Sequence, residues 1–165
     1  MQGTKDTKLL FRRDASSSPL TGYADADWAS DTNDRKSVSG YLFQVFGCSV
    51  SWCSKKQPTV ATSSSEAEYV ALSIWLQGIL EDLQETAKPV TIYEDNRGCI
   101  CMAKNFETKR TKHIDIKYHF LRDHVASGSL NIEPIRTQDQ LADIFTKPLE
   151  FSRFKTLRTN LGLTV

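Results

Sequence analysis

T-G-Y-A-D-A-D-W, residues 21–28, is the stretch from which the rest of this chain is read. Small and aromatic residues run into two acids, as at the carboxyl end of a short buried strand. Alternation with period two puts Asp25 and Asp27 on one face and Ala24 and Ala26 on the other, so two carboxylates leave the strand together. Such a pair either binds a cation or joins a larger acidic cluster.

Three further stretches can supply that cluster. In S-S-S-E-A-E-Y-V-A-L, residues 63–72, a serine run precedes an apolar helical pattern. Ser63 with Glu66 and Ser65 with Glu68 both have capping-box spacing, in which the serine hydroxyl and the N3 carboxylate exchange bonds with backbone amides left unpaired at a helix start. Spacing assigns one glutamate to the helix and frees the other without saying which. V-T-I-Y-E-D-N, residues 90–96, is a β-branched strand ending in Asp95 and Asn96 where a helix should begin. Asp95 reads equally as a cap and as a site group. In T-Q-D-Q-L-A-D-I-F-T-K-P, residues 137–148, Thr137 and Gln140 have capping-box spacing and Pro148 stops the helix. Asp143, among Leu141, Ala142, Ile144 and Phe145, is either solvated on the outer face or aimed at a site.

Around these stretches the pattern predicts an edge strand at Lys8–Arg13 and strands at 20–27, 38–46 and 49–56, with Gly47 turning the hairpin between the last two. A helix over 64–86, a strand at 89–95, a short helix at 96–105 and a basic loop at 107–112 follow. A helix over 113–127, closed by Gly128, carries Ile114, Tyr118, Leu121 and Val125 on its inward stripe. A strand at 130–136, a helix at 138–147 and an amphipathic tail from Phe151 to Leu161 complete the chain. The order β-β-β-α-β-α-α-β-α predicts an α/β fold, a mixed sheet flanked by helices. In open α/β sheets ligands sit beyond the carboxyl ends of strands. If strands 20–27 and 89–95 are parallel neighbours, Asp25 and Asp95 converge, with a glutamate of the 63–72 stretch and Asp143 entering from helices. Carboxylates so close repel unless divalent cations neutralise them, and hard oxygen ligands without a dedicated cage favour Mg²⁺.

Composition allows one ordinary domain. With 165 residues, 39% hydrophobic and 25% charged, the chain can bury a core without covalent staples. No apolar run approaches the roughly 20 residues of a membrane helix, and no signal peptide opens the chain. Cys48, Cys53, Cys99 and Cys101 lack C-x-x-C spacing and read as buried, reduced thiols. His113, His119 and His124 are spaced so that they share no metal-binding face. The formal net charge is only +1, so nucleic-acid affinity has to come from local patches. Lys55, Lys56, Arg97, Lys109, Arg110, Lys112 and His113 are the candidates, each set against the simpler reading of solvated surface.

The ordered acids, in the contexts Y-A-D-A-D-W, A-E-Y-V-A-L, I-Y-E-D-N and Q-L-A-D-I-F-T-K-P-L, resemble the ribonuclease H domain of Ty1/copia-type retrotransposon Pol polyproteins. R-K-S-V-S-G-Y-L-F at 35–43 and K-H-I-D-I-K-Y-H-F at 112–120 are typical of the same family, and the resemblance runs from about Gly3 to Gly162. It implies a ribonuclease H-like mixed five-stranded sheet, and it places the metal-binding, catalytic acids at Asp25, Glu68, Asp95 and Asp143, choosing Glu68 over Glu66. It also implies two Mg²⁺ ions, with Mn²⁺ as a substitute, and hydrolysis of the RNA strand of RNA/DNA hybrids to 5′-phosphate and 3′-hydroxyl ends. The implied partners are the hybrid and an adjoining reverse transcriptase region, with no membrane, in the cytoplasm or nucleus of a cell. Residues 1–19 would be the tail of the linker from that region, 20–148 the nuclease domain and 149–165 a C-terminal amphipathic tail.

Three departures from the family accompany the resemblance. The opening M-Q-G-T-K-D looks like the tail of a linking motif, which implies a piece of a longer polyprotein. About seven residues, near two helical turns, are missing between A-E-Y-V-A-L and I-W-L-Q-G-I-L. The histidine-bearing loop that many ribonucleases H carry just before the last aspartate has no counterpart, since Arg136, Thr137 and Gln138 run directly into the predicted helix. Two other readings compete with this one. D-A-D-W-A also resembles the nucleophile motif of haloacid-dehalogenase phosphatases, but the downstream lysine and paired acids of that family are missing. The second is a transposon-derived relic that binds nucleic acid or a partner without cleaving.

Overall fold

The computed structural model describes residues 5–12, 16–72, 89–104 and 117–164. The strands are β1 (Lys8–Leu9), β2 (Leu20–Asp27), β3 (Val38–Val45), β4 (Cys48–Lys56), β5 (Val90–Glu94), β6 (Leu130–Pro134) and β7 (Leu163–Thr164). Helix α1 is described over 64–72, and α2 (Arg97–Lys104), α3 (Lys117–Ala126) and α4 (Phe151–Asn160) follow. β2 to β6 form a five-stranded sheet in the order β4-β3-β2-β5-β6. β2, β3 and β4 are antiparallel neighbours, whereas β2–β5 and β5–β6 are parallel. The mixed sheet expected from the sequence is therefore present, and Tyr23 stands opposite Tyr93 in the parallel pair that the site requires.

Alternation along the central strands separates two cores. Ala24, Phe43 and Ile92 face a cluster with Tyr69 and Leu72 of α1, Cys99 and Ala103 of α2, and Leu121 of α3. Leu42, from the opposite face of β3, packs with Leu141, Leu157 and Leu161. The β3–β4 hairpin turns on Phe46 and Gly47, both left-handed with φ of 47° and 79°, which matches the right-handed twist of the flanking strands. Gly128 ends α3 with φ of 73°, as its sequence position indicates.

Two expectations are corrected. Residues 138–147 do not form one α-helix; they form two 3-10 turns, Thr137–Asp139 and Leu141–Phe145. The capping box does not close because the Gln140 side chain is drawn into the core. Its Nε2 donates to the Ala24 carbonyl at 2.9 Å and the Tyr93 carbonyl at 3.3 Å, and its Oε1 accepts from the Ala142 amide at 3.3 Å. A buried amide that ties β2 to β5 satisfies more polar atoms than one turned back to Thr137. The second correction concerns Lys8–Arg13. Among its described residues Lys8 and Leu9 form the strand, and they pair with β7 in a separate ribbon rather than along the sheet edge. The expected shortening of the helix after residue 72 and the basic loop at 107–112 fall outside the described residues.

Gly40 of β3 explains how the Leu141–Phe145 turn comes so close to the sheet. A Cβ at this position would lie 2.6 Å from Thr146 Cγ2, 2.9 Å from Phe145 Cβ and 3.2 Å from the Ala142 carbonyl oxygen. Gly40→Ala should therefore destabilise by about 1–3 kcal/mol, the usual cost of overpacking. A urea midpoint that falls with an unchanged slope would register it, and an unchanged midpoint would show that the turn can move away freely.

Candidate active site

Two capping questions left open by spacing are decided at the starts of α1 and α2. At α1 the Glu66 amide donates to the Ser63 hydroxyl at 3.2 Å, while the Glu66 carboxylate accepts from the Thr62 amide at 2.7 Å and from the Thr62 hydroxyl. Glu66 closes the helix start, and Glu68 is released. Ala26, Ala61, Ala67 and Ala71 pack together between β2 and α1, and such small side chains bring the helix close enough for Glu68 to reach the end of β2. At α2 the capping side chain is Asn96, whose Oδ1 accepts from the Cys99 amide at 3.1 Å and from the Ser65 hydroxyl at 3.0 Å. Asp95 is thereby free. Gly98 permits the close approach of α1 and α2, since a Cβ there would lie 2.2 Å from Ser65 Oγ.

The result is a convergence of acids from three elements. One carboxylate oxygen from each of Asp25, Glu68 and Asp95 lies within 4.8 Å of the others. Asp25 and Glu68 are buried, and Asp95 is half-buried. Glu68 Oε2 is buried with no hydrogen-bond partner among the described residues, a costly state that a bound cation would relieve. These three residues can hold a divalent ion. Asp27, half-buried and one pleat further on, is not among them.

Sequence reading missed Glu94, which is fully buried beside this trio. Its Oε1 accepts from the Asn96 amide at 2.9 Å, and the Cys99 thiol bonds to the carboxylate. The signal was available, because Glu94 is in phase with Val90 and Ile92 and so belongs to the core face of β5. Burial pushes Glu68 well above the usual carboxylate range, and the charges of Glu94, Asp25 and Asp95 push it further. Burial likewise raises Glu94 to about 8, against the pull of the Asn96 amide.

These shifts set a pH dependence. Both carboxyls stay protonated in the folded protein where the unfolded chain has already released its protons. For Glu94 the contribution is fully present below the unfolded value of 4.5 and is lost as pH rises towards about 8, and the raised Glu68 acts in the same direction, so metal-free stability should fall across that window. Melting temperatures in chelator between pH 5 and 8 check this. Glu94→Gln should flatten the decline, and a melting temperature that climbed with pH would contradict it.

Asp143 is held differently. Its carboxylate accepts from Lys147 Nζ at 2.8 Å and from the Arg153 guanidinium. Lys147 Nζ also donates to Asp25 Oδ1 at 2.7 Å, and the Thr146 hydroxyl donates to Asp25 Oδ2. Burial alone would lower the Lys147 pKa, but the charge of Asp25 and the bonds to Asp143 and Asp25 outweigh it, so the ammonium is kept charged. The structure thus joins Asp143 to Asp25 through a lysine rather than through the trio. Lys147, Arg153 and Thr146 were not singled out in the sequence, although Asp143 and Lys147 have the i,i+4 spacing of an ion pair.

The candidate phosphate contacts divide. Lys55 and Lys56 are exposed on β4, level with the acidic end of β2, since Val38 pairs with both Asp27 and Lys56. Lys56 is already paired with Asp31 and, at 3.0 Å, with Asp34. Arg97 is exposed at the first residue of α2. Lys109, Arg110, Lys112 and His113 lie outside the described residues. His124 Nδ1 is 2.8 Å from the Ser129 hydroxyl, a local contact. The expectation of four buried cysteines is corrected: all are free thiols, but only Cys99 is buried and Cys101 is exposed. No helix among the described residues is long and apolar enough to cross a membrane.

Comparison with known proteins adds relatives to this geometry. No protein-family model matches the chain. It is 39% identical over 99% of its length to the retrovirus-related Pol polyprotein from transposon TNT 1-94 of Nicotiana tabacum, and covers 13% of that protein. It is 38% identical over 94% of its length to the Pol polyprotein from transposon RE1 of Arabidopsis thaliana, of which it covers 11%. The chain therefore spans a small part of the curated relatives it matches. Among solved structures, a ribonuclease H1 crystallised in complex with an RNA/DNA hybrid superposes with a TM-score of 0.60 at 15% identity, over 77% of this chain and 93% of that one. The fold is that of the ribonucleases H.

Proposed function

We propose that this chain, which belongs with the Pol polyproteins of copia-type retrotransposons and carries the ribonuclease H fold, hydrolyses the RNA strand of RNA/DNA hybrids during reverse transcription. The observation that carries the reading is the convergence of Asp25, Glu68 and Asp95 from β2, α1 and the end of β5, with a buried Glu68 oxygen that has no hydrogen-bond partner among the described residues. Divalent ions bound there, Mg²⁺ above all, would supply an activated water and neutralise the leaving oxygen. Asp25, at the centre of the sheet, touches both the trio and the Lys147–Asp143 pair, so Asp143 would act from the far side of Asp25. Glu94, behind the trio, would hold the Asn96 amide and with it the loop that presents Asp95.

Lys55, Arg97, Lys109, Arg110, Lys112 and His113, with Lys56 where its acidic partners release it, would contact backbone phosphates. The 2′-hydroxyls in the hybrid minor groove would mark the strand to be cut. The hybrid would arrive from an adjoining reverse transcriptase region, inside the cell, with residues 20–148 carrying the chemistry and 1–19 leading in from that region.

The test is direct. Purified chain with Mg²⁺ and a hybrid labelled on each strand should cut RNA and spare DNA, and Asp95→Asn should lose the cut while still binding the hybrid. Binding without cleavage in both proteins would replace this reading with that of a nucleic-acid-binding relic.

A further inference from the structure

The cations within the acidic site belong to the protein itself, and this bears on how many metal ions it takes. Lys147 Nζ lies 2.7 Å from Asp25 Oδ1 and 2.8 Å from Asp143 Oδ1, and both acids have fully buried side chains. Arg153 holds the other Asp143 oxygen, and Thr146 holds the other Asp25 oxygen. Every carboxylate oxygen of Asp25 and Asp143 thus has a protein donor. Glu68 Oε2, in the acid trio that shares Asp25, has none among the described residues. The two halves of the site are unequally provided with positive charge.

We infer that Lys147 is a built-in cation which fills the Asp25–Asp143 half of the site, so that one divalent ion binds at Asp25, Glu68 and Asp95 while a second enters only by displacing the lysine ammonium. The physical ground is that a single cation bridging two buried carboxylates already supplies what a metal there would supply, and an entering ion has to break two charge-assisted bonds first. Lys147 can leave, because its side chain is 29% exposed while those of its two partners are fully buried. It is a positioning residue: in the metal-free chain it keeps two like charges together, and in the loaded chain it sets the order in which ions arrive. The inference rests on the nuclease reading above, since it presupposes that the acids bind divalent ions.

Calorimetry of the whole chain with Mn²⁺, without substrate, separates the two. The wild-type protein should take up one ion tightly and a second at least about tenfold more weakly, and Lys147→Met should bind the second at least about tenfold tighter than wild type does, a shift within the ordinary range of coupling between sites. Metal-free melting of Lys147→Met should be lowered, and its rise on adding Mn²⁺ should exceed that of wild type. Lys147→Arg, which keeps the charge, should resemble wild type in both readouts. If Lys147→Met does not fold without metal, folding induced by Mn²⁺ at two ions per chain supports the inference and folding at one ion per chain overturns it. Equal or weaker second binding in Lys147→Met overturns the inference while leaving the nuclease reading intact. A wild-type chain that takes up no ion, or takes up as much as Asp95→Asn, overturns the nuclease reading and this inference with it.

Discussion

Glu68→Gln is expected to lower cleavage of an RNA/DNA hybrid by at least about 10²-fold and, in the same protein without metal, to raise the melting temperature. The two signs have one cause. A carboxamide nearly matches the carboxylate in shape but brings no charge, so it weakens the hold on a divalent ion and on the charge that ion stabilises in the transition state. In the metal-free chain the same carboxyl is a burden, because the unfolded chain releases its proton while burial and the charges of Glu94, Asp25 and Asp95 oppose its ionisation in the fold. Removing it relieves desolvation and repulsion together. Asp25→Asn should also abolish cleavage but should lower the melting temperature, because Asp25 is the anion on which Lys147 rests. Melting curves in chelator for both variants, beside cleavage assays in Mg²⁺, read the contrast. A Glu68→Gln protein that melts well below wild type would make Glu68 a structural residue.

Leu157→Ala is expected to destabilise by about 2–5 kcal/mol, a large part of a typical total of about 5–15. Leu157 is 1% exposed and packs with Leu42, Leu141 and Leu161, so its loss opens a cavity between α4, β3 and the Leu141–Phe145 turn. The effect should reach the site, since Arg153 lies one turn earlier on α4 and holds Asp143. Urea denaturation of Leu157→Ala beside Phe151→Ala makes the comparison. Phe151 is 79% exposed and should change stability by no more than about 0.5 kcal/mol. Equal effects of the two substitutions would show that α4 is not bound into the core.

The sequence by itself determined the sheet and the acids that could enter a site. Strand positions follow from period-two alternation and β-branched composition, which are local properties, and Asp25, Glu68 and Asp95 stand in local contexts that resemble a family. Local spacing could not say which residue of each pair caps a helix, because Ser63 with Glu66 and Ser65 with Glu68 offer the same distance along the chain. Tertiary structure decided it. Thr62 and Ser63 close α1 on Glu66, and Ser65 is taken by Asn96 across the α1–α2 contact. The Thr137–Gln140 capping box fails for the same kind of reason, since Gln140 finds the carbonyls of Ala24 and Tyr93, which are distant in sequence. Glu94 was legible in principle from its phase with Val90 and Ile92, yet an acid on a core face is tolerable only when its neighbours in space are known. The i,i+4 spacing of Asp143 and Lys147 is a local signal for their pair, but the bond of Lys147 to Asp25 and that of Arg153 to Asp143 are not local: a charge is placed by what faces it across the fold, and only the packing of the 141–147 segment and α4 against β2 and β3 brings those charges face to face.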